Sequence, residues 1–309
     1  MGVALPRYRV EFETVSQIAT QSVEQFDKRA VPPSDDDAVT LGAEAATGPV
    51  DAATSPIREV VTTSTSFQGQ SIGAELCRAY GSLTDATPID IFGTSRALVN
   101  ALSEGGKEGA RLLVGADVTK FADGGFANRI KGAGAGAVLL TEDGELRVDG
   151  TGTATTNFQE YALEDGYWTE VADAKLARRQ YSAAAADSFA SLIEEVGYDG
   201  SDFDHAVINC RSARTAKSIQ KRLGLKEEVA VGHVRKEYGD LGAAAPLIGL
   251  HDRVAEAQPG DRILVLGSGF GGCAAAGLKV TGEVPTFESG VTGPKTIDIA
   301  TYLQYAEGR

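Results

Sequence analysis

Cysteine and histidine are scarce in this sequence, with three residues of each among 309. The cysteines, Cys77, Cys210 and Cys273, are too few and too widely spaced for a disulfide framework or a CxxC metal site. The histidines show neither an HExxH nor an HxH spacing. We therefore expect no structural or catalytic zinc and no bound cofactor.

Long apolar runs are also missing, since no stretch approaches the roughly 18 residues that a transmembrane helix needs. The first ten residues, MGVALPRYRV, lack the basic and then apolar segments of a signal peptide. These two absences predict a cytoplasmic protein without a membrane partner.

Positive charge is in short supply. Lys and Arg number 29 against 43 Asp and Glu, which gives a formal net charge of −14. Nucleic acids and anionic membranes are bound by concentrated positive fields, so neither is an expected partner. Only 11 of the 29 cations are lysines, and Gly and Ala are abundant. This composition is typical of proteins that work at high salt concentration.

Helical and strand patterns alternate along the whole chain. Strands are predicted at 60–64, 88–92, 111–116, 137–141, 146–149, 206–209, 262–267 and, as the last one, 275–281. Helices are predicted at 37–46, 73–79, 97–103, 174–196, 215–223 and 243–257. The sequence at 142–144, Glu-Asp-Gly, predicts a hairpin turn.

This alternation indicates an α/β fold with a mostly parallel sheet covered on both faces. The pattern occurs twice, which predicts two similar halves at 1–150 and 151–309 and a five-layered, internally duplicated architecture.

The segment 262–272, RILVLGSGFGG, places a GxGxxG motif after a strand. This motif is the fingerprint of dinucleotide binding only where a helix and a further βαβ unit follow. The next residues alternate like a strand, and only 37 residues remain. We therefore interpret the motif as a glycine-rich turn between two strands, pressed against a ligand or a neighbouring backbone segment.

Five stretches, in order along the chain, resemble the thiolase superfamily, specifically its archaeal hydroxymethylglutaryl-CoA synthase branch near the type III ketoacyl-ACP synthases. They are LPRYR at 5–9, the segments 30–46, 132–138 and 259–269, and the closing IDIATYLQYAEGR at 297–309. The strand that precedes the first stretch in the family is expected to be clipped here. The resemblance implies the five-layered αβαβα thiolase fold, with an assembly tail at 285–309.

The resemblance also implies positions for the catalytic groups. The family's acyl-accepting cysteine, which follows an Asp by five residues, is replaced by Ser95. Its base-like His is replaced by Asn209, and the Asn that helps to bind the thioester oxygen is replaced by Asp240. Thr65 stands where the synthases have a catalytic Glu. All four positions depart from the family pattern, so the site is degenerate.

Substrate contacts are expected at Thr65, His233, Gly267 and Gly269. Ser95 is either the N-cap of its helix or an acyl acceptor. Asp240 caps the helix at 243–257, fills a vestigial site or, with a raised pKa, acts as a base toward Ser95. His233 is the other candidate base.

Cys210, beside Asn209, is either inert packing or a displaced nucleophile, and the same alternatives hold for Cys273.

Two functions remain open. The first is a non-catalytic or specialised subunit that forms a homodimer, or a heteromer with a catalytic paralogue, as the chain-length factors of ketosynthases do. The second is an acyl-CoA acyltransferase that uses Ser95 on a CoA thioester such as acetyl-CoA or acetoacetyl-CoA.

Overall fold

The structure is a computed structural model of the chain. It describes residues 1–17, 26–66, 71–103, 109–118, 131–159, 161–164, 167–170, 173–210, 212–229, 233–289 and 293–307.

The strands and helices follow the predicted alternation closely. The strands are β1 (Gly2–Ala4), β2 (Tyr8–Glu11), β3 (Lys28–Val31), β4 (Ile57–Ser64), β5 (Thr87–Phe92), β6 (Ala110–Val118), β7 (Ala133–Leu140), β8 (Leu146–Thr155), β9 (Tyr161–Glu164), β10 (Tyr167–Glu170), β11 (His205–Asn209), β12 (Arg262–Ser268), β13 (Gly272–Val280), β14 (Phe287–Ser289) and β15 (Lys295–Thr296). The helices are α1 (Phe12–Ser16), α2 (Ala38–Asp51), α3 (Ile72–Ala79), α4 (Ser95–Ala101), α5 (Ala174–Val196), α6 (Ala213–Arg222), α7 (His233–Tyr238), α8 (Ala245–Glu256) and α9 (Ile299–Glu307).

Two mixed sheets form the centre of the molecule. The first has the order β14-β1-β7-β6-β4-β5, and the second has the order β11-β12-β13-β8. Most strands of each sheet run in one direction, as expected. The exceptions are β7, which runs antiparallel to both β1 and β6, and β13, which runs antiparallel to both β12 and β8. The pattern of apolar residues in a strand buried on both faces does not distinguish the two directions.

Three layers of helices cover and separate these sheets. Helices α2 and α3 pack on the outer face of the first sheet, and α5 and α6 pack on the outer face of the second. Helices α4 and α8 lie between the sheets and share one apolar core with both of them. The resulting α-β-α-β-α order confirms the predicted five-layered fold.

Local signals set several of these boundaries. Asp37 caps α2 by accepting a hydrogen bond from the Thr40 amide at 2.8 Å. Helix α5 has the predicted bounds, with Asp173 as its N-cap and Gly197, at φ 74°, as its C-cap.

Three expectations about connections are wrong. The turn at 142–144 does not form a hairpin, because β7 belongs to the first sheet and β8 pairs with β13 in the second. β13 is not the last strand, since β14 pairs with β1 and β15 pairs with β2. A strand does precede LPRYR, because β1 lies between β14 and β7.

The division of the chain at residue 150 falls within β8 and stays a prediction.

Candidate functional site

Ser95 begins α4 and lies between the two sheets with 1% of its surface exposed. Thr94 is the N-cap and makes no side-chain cap hydrogen bond. The Ser95 Oγ donates a hydrogen bond to the backbone carbonyl oxygen of Ser268 at 2.9 Å. The interpretation of Ser95 as the N-cap of its own helix is therefore wrong, because its hydroxyl connects α4 to β12 instead.

The glycine-rich segment forms the turn between β12 and β13, as the sequence predicts, and it lies against the start of α4. A Cβ at Gly267 would overlap the backbone carbonyl of Ser95, and one at Gly269 would overlap the Thr94 side chain. Gly269 also has φ 151°, which side chains disfavour. Both glycines are therefore needed for close packing of the turn on Ser95.

Asn209 ends β11 beside β12, with its backbone paired to Gly267. Its Nδ2 donates to the Gly242 carbonyl at 3.3 Å, and its own carbonyl accepts from the Ser268 Oγ at 3.0 Å. The structure therefore joins Ser95 to Asn209 through Ser268. A carboxamide has no titratable proton at neutral pH, so Asn209 is not a base.

Asp240 is held in a buried cluster of charges. Its carboxylate lies 2.8 Å from the Lys131 Nζ and 3.4 Å from an Arg235 Nη1, and it accepts a hydrogen bond from the Gly242 amide at 3.1 Å. Burial opposes ionisation, but the charges of Lys131 and Arg235 outweigh it and hold the pKa of Asp240 well below its usual range. The expected raised-pKa base is therefore wrong, and so is the helix cap, because the N-cap of α8 is Ala244.

His233 begins α7 and is engaged away from Ser95. Its Nε2 lies 3.2 Å from an Asp252 carboxylate oxygen on α8. A cavity of about 10 Å³, too small for a substrate group, lies between His233 and Asn209. In the described part of the chain, no hydrogen bond connects His233 to Ser95.

Thr65 follows β4, and its amide donates at 2.7 Å to a carboxylate that the sequence analysis missed, that of Asp117. Asp117 lies in β6 with no exposed surface and accepts also from the Ser64 Oγ at 2.9 Å, the Ser66 amide at 3.0 Å and the Ala243 amide. Its burial raises its pKa, although these hydrogen bonds act in the opposite direction. An acid inside the otherwise apolar strand RLLVGADV is the signal that could have identified it.

The polar groups form one connected path between the halves of the molecule. From Ser95 it passes through Ser268 and Asn209 to the carbonyl of Gly242, whose neighbour Ala243 donates to Asp117. Six of the predicted site residues belong to this path or border it: Ser95, Asn209, Asp240, Thr65, Gly267 and Gly269. His233 is not part of the path.

Burial disfavours the thiolate form of Cys77 and Cys273. Cys273 is fully buried, and burial raises the pKa of its thiol far above the usual range. Burial also raises the pKa of Cys77. Inert packing therefore accounts for Cys273. The Cys210 Sγ donates to the Ser212 carbonyl oxygen at 3.4 Å, and both interpretations of Cys210 stay predictions.

Among the described residues, no group of three or more His, Cys, Asp or Glu side chains could hold a metal ion. No helix in this part of the chain is long and apolar enough to cross a membrane.

The chain is similar in sequence to proteins of known family. Residues 193–279 match the C-terminal domain of 3-oxoacyl-[acyl-carrier-protein] synthase III. Hydroxymethylglutaryl-CoA synthase of Thermococcus onnurineus is 26% identical over 325 residues, which cover 99% of this chain and 92% of that protein. The corresponding synthase of Pyrococcus furiosus is 26% identical over 327 residues, covering 98% and 93%.

Solved structures share the fold at lower identity. A hydroxymethylglutaryl-CoA synthase complexed with CoA superposes with a TM-score of 0.82 at 15% identity, over 98% of this chain and 88% of that one. The 3-oxoacyl-[acyl-carrier-protein] synthase III of Aquifex aeolicus superposes with a TM-score of 0.74 at 17% identity, over 90% and 97%. The chain therefore contains a thiolase-superfamily domain at 193–279, has hydroxymethylglutaryl-CoA synthases among its sequence relatives, and shares its fold with those synthases and with 3-oxoacyl-[acyl-carrier-protein] synthases III.

Proposed function

We propose that this protein is a hydroxymethylglutaryl-CoA synthase-like subunit that does not itself transfer acyl groups and that works together with an acyl-CoA condensing enzyme of the same fold. The observation that carries the proposal is the hydrogen bond from the Ser95 hydroxyl to the Ser268 carbonyl oxygen. A serine needs a base to take its proton before it becomes a useful nucleophile, and an amide carbonyl is not one.

None of the three polar residues considered around Ser95 is available as a base toward its hydroxyl. Asn209 is an amide, Asp240 is held ionised by Lys131 and Arg235, and His233 is paired with Asp252. An ionised Asp240 accepts hydrogen bonds only, so it opposes rather than stabilises a developing oxyanion. These contacts favour a site that keeps the family's architecture without its chemistry.

The edge of the first sheet supports a partnered subunit. Among the described strands β5 lies at this edge, and an edge strand presents hydrogen-bonding groups with which another chain can pair. Its last residue, Phe92, is 56% exposed and stacks on Phe270 of the glycine-rich turn, with ring centroids 5.9 Å apart. A partner on this edge, whether a second copy or an active paralogue, would cover an aromatic surface that reaches the start of α4.

An active acyltransferase is the second candidate. It is favoured by the burial of Ser95 at a helix N-terminus beneath the turn that contains Gly267 and Gly269. In this alternative the Ser95 Oγ forms a bond to the thioester carbonyl carbon, the C–S bond breaks, and CoA leaves as the thiol with the proton that Ser95 gives up.

Peptide mass spectrometry after incubation with acetyl-CoA tests the two candidates. The subunit proposal predicts no acetyl group on the peptide that contains Ser95. An acetyl group there that is lost in Ser95→Ala would overturn it and establish the acyltransferase.

A reconstructed site provides the positive control. The triple variant Ser95→Cys, Asn209→His, Asp240→Asn returns the family's three residue types to one site. We expect it to form an acetyl-thioester on residue 95 that the native chain does not form. Both the native chain and this variant could lack the adduct. The partner role is then tested by mixing the native chain with a purified active paralogue and analysing the mixture by size-exclusion chromatography. Co-elution supports the role, and separate elution would overturn it.

A further inference from the structure

A cavity of about 590 Å³ lies outside the site described above, between the N-terminal segment, α7, α8 and the segment that precedes β15. Its apolar walls are Val3, Leu5, Ile248 and the Tyr238 ring. A volume of this size is typical of small-molecule sites, and its lining combines these apolar walls with ionisable side chains. None of the site residues predicted from the sequence lines it.

Arg9 is the buried cation of this cavity, with 7% of its surface exposed. Its Nη1 donates to the backbone carbonyls of Pro6 and Tyr8, and its guanidinium lies 5.6 Å from the centroid of the Tyr238 ring. In the part of the chain that the structure describes, no carboxylate lies within ion-pair distance of Arg9. A charged group that is removed from water without a counter-ion is costly, and burial accordingly lowers its pKa.

His251, on α8, is a second polar group of the cavity wall and is 4% exposed. Its Nδ1 lies 3.8 Å from an Asp252 carboxylate oxygen. Its Nε2 has no hydrogen-bond partner among the described residues. A buried polar atom without a partner is unfavourable, and a hydrogen bond to a bound ligand removes that cost.

Two acidic residues of the cavity lining have side-chain partners, and the other two lie at the rim. Asp252 pairs with His233 at 3.2 Å, and Asp27 pairs with Lys236 at 3.0 Å. The remaining acids of the lining are Glu237 and Glu288, and both are exposed at the rim, as are the cations Arg7 and Lys28. Arg9 is therefore the buried charge of the cavity that no side chain compensates.

We propose that this cavity binds a small carboxylic acid with a short apolar chain. The carboxylate pairs with the guanidinium of Arg9, which presents planar donors suited to two carboxylate oxygens. The apolar chain packs against Leu5, Ile248 and Tyr238, and His251 supplies a second polar contact through Nε2.

Isothermal titration calorimetry with hexanoate tests the proposal. The native chain binds hexanoate saturably, and hexan-1-ol, which has the same carbon chain without the charge, binds at least about tenfold more weakly. Arg9→Gln weakens hexanoate binding by about tenfold or more, whereas Arg9→Lys retains part of it. Arg147→Gln removes an exposed cation that does not line the cavity, and it leaves the affinity unchanged.

Leu5→Trp keeps the proposal testable if Arg9→Gln does not fold, because it fills the cavity from a partly exposed wall position and leaves Arg9 in place. This variant also loses hexanoate binding. Absence of binding by the native chain at 10 mM hexanoate (about 3 kcal/mol of affinity) would overturn the proposal. Equal affinity for hexanol, or unchanged affinity in Leu5→Trp, would also overturn it.

Discussion

Asp117 and Asp240 are two buried carboxylates on either side of the same short segment, and their surroundings differ completely. Asp117 has no exposed surface and is surrounded by hydroxyl and amide donors. Asp240 is 13% exposed at its side chain and lies against two cations. The pKa of Asp117 is raised, chiefly by burial, whereas the pKa of Asp240 is lowered by Lys131 and Arg235.

Two carboxylates at neighbouring positions of the fold can therefore have pKa values shifted in opposite directions. At Asp117, burial outweighs the hydrogen bonds and the charge of Lys131, whereas at Asp240 the charges of Lys131 at 2.8 Å and Arg235 at 3.4 Å outweigh burial. Asp240 is therefore held as an anion beside Gly242, and an anion there makes the site unsuited to an oxyanion.

The largest effect is expected from Asp117→Ala. The variant leaves the Ser64 hydroxyl and the amides of Thr65, Ser66 and Ala243 without their acceptor in a dry environment. We expect the free energy of unfolding to fall by about 4 kcal/mol. Urea denaturation measures it, and Asp85→Ala, at an exposed turn, is the control. A loss below about 1 kcal/mol would contradict the role of Asp117 as the common acceptor.

Asp240→Asn is expected to cost somewhat less, about 3 kcal/mol, because it removes the charge that Lys131 and Arg235 share but keeps an oxygen near Gly242. The same denaturation measurement applies. The double variant Asp240→Asn, Lys131→Met should recover part of the loss, since it removes one of the two cations. If the double variant is less stable than the single one, the ion pair is not what Asp240 contributes.

Gly242→Ala perturbs both carboxylates at once. Its amide donates to Asp240, and a Cβ at this position would overlap a carboxylate oxygen of Asp117 at φ 53°. We expect a loss of about 2 kcal/mol in thermal or urea unfolding. Gly224→Ala, at φ 70° with open space around the Cβ, isolates the backbone cost at about 1 kcal/mol. An equal decrease in the free energy of unfolding of both variants would show that the Asp117 side chain moves away from the added methyl group without cost.

The smallest effect is expected in the pH dependence of stability. The two carboxylates should change the free energy of unfolding in opposite directions as the pH rises. The folded-state pKa of Asp240 is lowered, so its stabilisation is present above the unfolded pKa of about 4 and is lost as the pH falls below it. The folded-state pKa of Asp117 is raised, so its stabilisation is present below about pH 4 and is lost as the pH rises through the folded pKa.

Urea denaturation of the native chain, Asp117→Asn and Asp240→Asn between pH 3 and 8 measures these differences. The stability of the native chain relative to Asp240→Asn should decrease toward acid, and relative to Asp117→Asn it should decrease toward neutral pH. If both differences in the free energy of unfolding changed in the same direction with pH, the proposed electrostatic difference between Asp117 and Asp240 would be wrong.

The sequence predicted the elements well where a local signal was strong. The 174–196 helix carries Phe189, Leu192 and Ile193 at helical spacing, ends at Gly197, and has those bounds in the structure. The glycine-rich motif was correctly assigned to a turn between strands because its flanks alternate. The hairpin at 142–144 was wrong because nothing in a short turn specifies the sheet that the next strand joins.

The candidate site was predicted in part. Ser95, Asn209, Asp240 and Thr65 came from a resemblance between segments, and the structure places them around one path of hydrogen bonds. Their protonation and bonding could not be predicted in this way. Lys131 and Arg235 are distant from each other in sequence. The backbone bridge between Lys131 and Asp240, together with the position of Asp240 just after α7, brings both cations to one carboxylate.

The sequence by itself determined the fold class, the order of the elements and the residue types at the candidate site, because periodicity, caps and turn residues act over short distances. The tertiary structure decided the strand directions, the partner of each polar group and the direction of each pKa shift. These depend on desolvation and on charges a few ångströms apart, which arise only once segments distant along the chain are packed together.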